Sequence, residues 1–160
     1  MLQNNSVILH YLNYLKLFFS ILFGLMFLSI SILALAAPLI QSLFEYPSGE
    51  NIYSFLSPIC HQYPTRSFWL LERPFALCAR CFSGYLGLGI GLLFIHTNHN
   101  YLKRLAIGLL FLIPGVIDSL IQLLTNYESN NIIRFITGLI GGIGVYFTLY
   151  PFKSNNNKGV

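Results

Sequence analysis

The sequence contains little charge: only 9% of its 160 residues are Asp, Glu, Lys or Arg. A soluble globular domain carries roughly 25% charged residues, so this chain cannot cover a water-exposed surface with charge. With 55% hydrophobic residues it is also too apolar for a disordered tail. The three Cys are too few for a disulfide scaffold, and an odd number cannot pair completely within one chain. A soluble enzyme domain and a disulfide-rich domain are therefore both disfavoured.

Acids are scarcer than bases, and the net charge is +4. A basic excess can indicate a nucleic-acid partner in a polar protein. Here the nine Lys and Arg are scattered between apolar runs, so we interpret them as membrane-orienting charges. The expected partner is the lipid bilayer, and no nucleic acid is expected.

Four apolar runs are long enough to cross a membrane. A hydrocarbon core of about 30 Å needs around 20 apolar residues in a helix, and helices satisfy their own backbone polar groups. The runs predict transmembrane helices at residues 17–44, 77–95, 105–124 and 132–150. The predicted fold class is all-α, a polytopic membrane helix bundle with an interfacial loop or helix between the first two spans. It forms one domain, 17–152, between an N-terminal segment, 1–16, and a polar tail, 153–160.

The first run allows a second interpretation. Ala34-Leu35-Ala36 resembles a small-residue signal cleavage site after an apolar stretch. Few basic residues precede it, however, and the apolar run continues through Phe44. Cleavage after Ala36 would remove one helix and leave the orientation of the other three unchanged.

Lys and Arg in the loops predict the orientation of the chain. With four spans, both termini lie on one side, which carries five bases and no acid: Lys16, Lys103, Arg104, Lys153 and Lys158. The other side carries acids as well as four bases, which are Arg66, Arg73, Arg80 and Arg134. We therefore expect cytoplasmic termini in the inner membrane of a prokaryote, with loops 45–76 and 125–131 facing outward.

Glycines in two spans predict close helix packing. Gly84, Gly87 and Gly91 lie along the second span, and Gly138 and Gly142 form a small-xxx-small pair in the fourth. We expect them to form a packing seam within one chain rather than a dimer interface.

The long outer loop contains hydrophobic residues at helical spacing, namely Ile52, Phe55, Leu56 and Ile59. This spacing predicts a short amphipathic helix at the membrane interface. The loop is expected to pack onto the membrane.

Three thiols and one imidazole fall near the outer end of the second span. Cys60-His61 lies in the loop, and Cys78-Ala79-Arg80-Cys81 opens the span. A Cys-x-x-Cys pair joined by another Cys and a His is typical of a tetrahedral zinc or iron site. Cys60, His61, Cys78 and Cys81 are therefore the candidate ligands, and His61 is alternatively a nearby acid–base group.

Two other interpretations of the thiols remain open. Cys78 and Cys81 could form a redox-active dithiol with Cys60 as the exchange partner, which an oxidising exterior favours. The third interpretation is a structural disulfide that leaves one Cys spare.

An acid inside the third span is the second informative feature. A charged side chain in hydrocarbon is costly and usually faces a partner or a cavity. Asp118 lies about 9 Å from the outer end of its helix, six residues at about 1.5 Å each, with Gln122 on the same face. Together with bases near the same level, it predicts a polar pocket under the loop, where a small ligand or cofactor could bind. The candidate residues are Arg66, Arg80, Asp118, Gln122 and Arg134. The alternative is an Asp–Arg pair that only fixes helix register.

Several ordered motifs resemble those of a family of small predicted prokaryotic membrane proteins, the domain of unknown function DUF2085. The resemblance covers roughly residues 55–142 and is carried by these blocks: Cys60-His61-Gln62, Pro64-x-Arg66-Ser67-Phe68, Cys78-Ala79-Arg80-Cys81, Tyr85-x-Gly87, Asp118, Gln122, Ser129-Asn130-Asn131, Arg134 and Thr137-Gly138. Two positions depart from the family pattern, which usually has Gly where this chain has Ser83 and Ser119. The resemblance implies an integral membrane protein with a shared site, and it supplies no reaction.

Three hypotheses for function follow. The first is a membrane protein that binds zinc or iron through the outward Cys/His cluster. The second is a membrane thiol–disulfide oxidoreductase using Cys78 and Cys81. The third is a non-catalytic scaffold or partner subunit, whose polar residues only set the packing.

Overall fold

The computed structural model describes residues 2–44, 48–95 and 101–149, which are mostly helical. The predicted tail, 153–160, lies outside these ranges. Five α-helices occur within them, in the order α1 Leu2–Leu43, α2 Ser48–Leu56, α3 Ala79–Phe94, α4 Tyr101–Leu124 and α5 Asn131–Leu149. The only strands in these ranges form a small hairpin, β1 Trp69–Leu70 and β2 Arg73–Pro74.

Three of the helices are long and apolar enough to cross a membrane: α1 from His10 onward, α4 and α5. They contain three of the four predicted spans, although α1 begins at Leu2 and α4 at Tyr101. The remaining run, 77–95, is helical only over the 16 residues Ala79–Phe94. It begins later than expected because Cys78 has an extended backbone as the residue preceding the helix. At about 1.5 Å per residue α3 is about 24 Å long, and four spans therefore remain a prediction.

Helix α3 lies between α1 and α5, and α4 packs on the far side of α5. The predicted glycine seam within one chain joins α3 and α5. A Cβ added at Gly87 would lie 3.1 Å from the Leu139 carbonyl carbon, and one at Gly142 would lie 2.8 Å from the Leu88 nitrogen. Only glycine permits backbones this close.

A proline in α1 ties this helix to the outer loop. Pro38 has no N–H, so the carbonyl of Ala34 lacks its usual partner within the helix. The backbone N–H of Ala76 donates to this carbonyl at 3.3 Å. Ala34 and Ala37 are fully buried in a core cluster with Leu56, Cys60 and Leu77. Cleavage after Ala36, which remains a prediction, would therefore remove part of this core.

The loop between α1 and α3, called the outer loop after its predicted side, is folded against the bundle. The predicted amphipathic helix corresponds to α2, which buries Leu56 and leaves Phe55 exposed, and Ile59 lies beyond its end. Helix α2 ends at Leu56 because Pro58 has no N–H to donate to the Ser54 carbonyl, and a short 3-10 turn follows at Ser57–Ile59.

A second 3-10 turn, Pro64–Arg66, leads into the hairpin. The tip of the hairpin, Leu71 and Glu72, has positive φ at both residues, as a type I′ hairpin turn requires. The Tyr53 hydroxyl donates to the Pro74 carbonyl at 2.6 Å and joins α2 to the hairpin.

Candidate metal centre and buried charge network

Three cysteines meet where the outer loop joins α3. Cys60 follows the first 3-10 turn, Cys78 precedes α3 and Cys81 lies in its first turn. The Sγ atoms of Cys60 and Cys78 are 3.4 Å apart, and the three sulfurs all lie within 4.8 Å of one another. Cys60 is buried, the other two are half-buried, and all three are free thiols. We call these three residues the thiol cluster.

The surroundings of Cys60 favour its thiolate. The Cys78 sulfur lies 3.4 Å from the Cys60 sulfur, and the interactions with the Cys78 and Cys81 thiols hold the pKa of Cys60 well below its usual range. The backbone N–H groups of Cys78 and Gln62 donate to the Cys60 sulfur, at 3.3 and 3.5 Å, and act in the same direction, against the effect of burial. The thiolate is the form of cysteine that binds metals and attacks disulfides.

His61 lies outside the group of side chains that could share an ion. It is exposed, and its ring stacks on Tyr63 with the centroids 5.9 Å apart. The structure thus brings together three of the four predicted metal-binding side chains. The role of His61 as a ligand remains a prediction.

The acid in α4 has three partners on one carboxylate oxygen. Asp118 is buried, and its Oδ2 forms an ion pair with Arg80. The same oxygen accepts hydrogen bonds from Gln122 Nε2 at 3.0 Å and Ser129 Oγ at 3.2 Å. Arg80 also donates to Ser119 Oγ at 2.8 Å. We call these five residues the carboxylate network; three of them, Asp118, Arg80 and Gln122, belong to the predicted polar pocket.

The other two predicted pocket residues lie beside this network. Arg66 is half-exposed, its Nη2 lies 3.5 Å from Glu128 Oε1, and its Cζ lies 5.6 Å from the Tyr63 ring centroid. Arg134 is 4% exposed and donates to Asn131 Oδ1 at 3.3 Å. Binding of a small ligand by the predicted pocket residues remains a prediction.

Both groups of side chains lie at the same end of the bundle. The loop that carries Arg66 reaches the loop between α4 and α5 through Glu128. Beside this contact, Asn131 Nδ2 donates to the carbonyl of Ser67 at 2.9 Å. The loop motif Pro64-x-Arg66-Ser67-Phe68 therefore joins the thiol cluster to the start of α5.

Sequence reasoning missed two members of the carboxylate network. Ser129 lies in the segment before α5 and donates to Asp118, whereas Asn130 caps the helix, since its Oδ1 accepts from the Ile133 N–H at 2.8 Å. Ser119, one of the two departures from the family pattern, donates to the Gly115 carbonyl at 2.7 Å and accepts from Arg80. The spacing of Ser119 after Asp118 could have indicated a polar neighbour, whereas only the fold brings Ser129 to Asp118.

The comparisons with known proteins agree with the resemblance. The family model described as "Predicted membrane protein (DUF2085)" matches residues 60–148. An uncharacterised protein of Methanocaldococcus jannaschii is 37% identical over 108 residues, which are 62% of this chain and 67% of that protein. An uncharacterised protein of Methanothermobacter thermautotrophicus is 39% identical over 89 residues, 54% of this chain and 80% of that protein. No solved structure matches. The matched range begins at Cys60 and includes both the thiol cluster and the carboxylate network.

Proposed function

The chain belongs to the DUF2085 family of predicted membrane proteins, and we propose that it binds one zinc or iron ion. The ligands would be Cys60, Cys78 and Cys81, at the outer end of a four-span bundle. The observation that carries this proposal is the convergence of three sulfurs within 4.8 Å. A zinc–thiolate bond of about 2.3 Å implies sulfur separations of about 3.8 Å in a tetrahedral site. Small side-chain rotations would therefore bring the cluster onto one ion.

The fourth coordination position distinguishes two kinds of metal site. Structural zinc sites use four protein ligands, whereas catalytic sites keep one position for water or substrate. His61 would have to leave the ring of Tyr63 to become the fourth ligand. We therefore propose three thiolates with an open position, and His61 as a conditional fourth ligand.

The carboxylate network has a different role in this proposal. The ion pair and two hydrogen bonds of Asp118 join α4 to α3 and to the loop before α5. Such a network fixes helix register, because groups from α3 and from the loop before α5 meet at one carboxylate oxygen of α4. It would keep the start of α3, and hence Cys78 and Cys81, in place.

The membrane arrangement that we propose includes α3 as the fourth span. Its packing between α1 and α5 supports this arrangement, although α3 is shorter than the hydrocarbon core. The distribution of Lys and Arg supports cytoplasmic termini in a prokaryotic inner membrane. The thiol cluster would then face the outside.

Metal analysis of the detergent-purified protein tests the proposal. We expect about one equivalent of zinc or iron in the wild type, and less than about a tenth of that in Cys60→Ser and Cys81→Ser. Ser57→Ala serves as the matched control, because it changes an exposed residue of the same loop while keeping all three thiols and His61. Wild-type protein that cannot be loaded with either metal would contradict the proposal.

The distance between Cys60 and Cys78 supports a second candidate, thiol–disulfide exchange. Their sulfurs, 3.4 Å apart, could form a disulfide after a small movement. An external disulfide would accept the two electrons: the Cys60 thiolate attacks it, and Cys78 then displaces the mixed disulfide, which releases two thiols. Trapping thiols in intact cells by acid quenching and alkylation should then yield a Cys60–Cys78 disulfide. Three alkylated thiols would exclude thiol–disulfide exchange. If metal analysis also found no bound metal, the scaffold role would remain.

A further inference from the structure

Arg134 is a buried cation with incomplete hydrogen bonding. Its side chain is 4% exposed, and Asn131 accepts a bond from Nη1. Its Nη2 is buried and has no hydrogen-bond partner among the described residues. A guanidinium presents five N–H donors, and leaving one of them buried without an acceptor is costly. An acceptor at Nη2 would therefore stabilise the buried side chain.

The charges around Arg134 do not balance. The side chains that act on it electrostatically are two bases, Arg66 and Arg80, and two acids, Asp118 and Glu128. Each acid already pairs with one of these bases, Asp118 with Arg80 and Glu128 with Arg66. Three guanidinium groups thus face two carboxylates, and one positive charge remains at Arg134.

The position of Arg134 favours an anion. It lies in the first turn of α5, about 5 Å from the start of the helix, where the free N–H groups and the helix dipole attract negative charge. The same end carries the outer loop, so it corresponds to headgroup depth in a spanning bundle.

A second buried arginine provides the comparison. Arg104 is 3% exposed in α4, and its Cζ lies 5.4 Å from the ring centroid of Tyr146 and 5.7 Å from that of Phe147. Two aromatic faces thus stabilise the charge of Arg104. No described cation–π contact serves Arg134 in this way, so its charge requires another source of stabilisation.

We propose that Arg134, assisted by Arg66, binds a phosphate group between the outer loop and the start of α5. Guanidinium groups match phosphate oxygens with paired, charge-assisted hydrogen bonds. The group belongs either to a phospholipid headgroup or to free phosphate. The site is separate from the thiol cluster, and its principal residue, Arg134, lies on α5 rather than on the loop that carries Cys60.

Thermal unfolding of delipidated protein in a neutral, phosphate-free detergent tests this proposal and separates the two sources. One arm adds inorganic phosphate; the other adds phosphatidylglycerol, with diacylglycerol as the lipid lacking phosphate. A rise in the unfolding midpoint with inorganic phosphate would identify free phosphate as the bound group. A rise with phosphatidylglycerol but with neither diacylglycerol nor inorganic phosphate assigns a headgroup.

Variants identify the binding residue. Arg134→Gln should lower the affinity for the phosphate compound that raises the wild-type midpoint at least about tenfold. Arg66→Gln, at an exposed position, should lower it about two- to fivefold. Arg104→Gln, which also removes a buried guanidinium, should leave the affinity within about twofold. Since Arg66→Gln should fold normally, it keeps the test valid if Arg134→Gln does not fold.

Two results would overturn the proposal: no response of the wild type to either phosphate compound, or equal responses of wild type and Arg66→Gln. Cys60→Ser should keep the part of the phosphate response that depends on Arg134 even if it loses metal, because Arg134 lies on α5. A failure of metal binding is therefore distinguishable from a failure of phosphate binding.

Discussion

The thiol cluster and the carboxylate network lie at the same end of the bundle but differ in how their polar groups are paired. Asp118 has an arginine and two hydrogen-bond donors on one carboxylate oxygen. The sulfurs of Cys60 and Cys78 contact each other, and Cys60 also accepts from two backbone N–H groups. The difference teaches that a buried charge with an opposite charge and two donors beside it is suited to holding helices together. Three converging thiols, in contrast, retain the capacity to bind.

Removal of metal should have the largest effect, and it should be confined to the thiol cluster. Chelator treatment of metal-loaded protein should increase amide exchange of residues 57–78 at least about tenfold, because one ion would join the loop to α3. Exchange in α5 should change little. Hydrogen exchange with mass spectrometry measures both regions, and a uniform increase along the chain would show that the ion does not act locally.

Loss of Asp118 should have the next largest effect, and it should not change metal content. Asp118→Ala leaves Arg80 partly buried without its counter-charge, so the free energy of unfolding should fall by about 3 kcal/mol. Denaturant titration in detergent micelles measures this loss.

The matched control replaces both charges, as Asp118→Leu with Arg80→Met. This variant should recover most of the stability, because an apolar pair needs no compensation. If Asp118→Ala instead lost metal while keeping its stability, the two groups would form a single site.

Glycine substitutions in α5 test how closely it packs on α3 beside Arg80. A Cβ at Gly138 would lie 3.1 Å from the Arg80 Cα and close to its carbonyl oxygen, so Gly138→Ala should push α3 and α5 apart. We expect a loss of about 1–3 kcal/mol in the free energy of unfolding.

Gly141→Ala is the control on the same helix. Nothing lies within 4 Å of its added Cβ, so it should be neutral or stabilising by up to about 1 kcal/mol. Equal losses in the two variants would mean that the seam does not set the helix separation.

The surface pair should show the smallest effect. Glu128→Gln removes the partner of Arg66, but both side chains are largely solvated, so the free energy of unfolding should fall by at most about 1 kcal/mol. The loss should disappear at high salt. A larger loss that persists in salt would assign Glu128 to the buried network.

Much of the helical framework could be predicted from apolar runs, because hydrocarbon and helix geometry together impose a length on each span. Three runs became long apolar helices, and the fourth became the shorter α3. The extended backbone at Cys78 was not predictable from hydropathy, since it depends on how the loop packs against α1. Local spacing could not assign the α5 cap to Asn130 rather than Ser129, because both residue types cap helices.

By itself, the sequence determined the apolar helical character, the glycine seam and which residue types could bind metal or carry buried charge. These properties follow from composition and from the 3.6-residue period of a helix. Only the tertiary structure decided that Cys60 meets Cys78 and Cys81, that Ser129 reaches Asp118, and that Arg134 is buried beside two occupied ion pairs. The reason is that each arrangement joins segments distant in the chain, where packing of the loop onto the helices, rather than local spacing, brings side chains together.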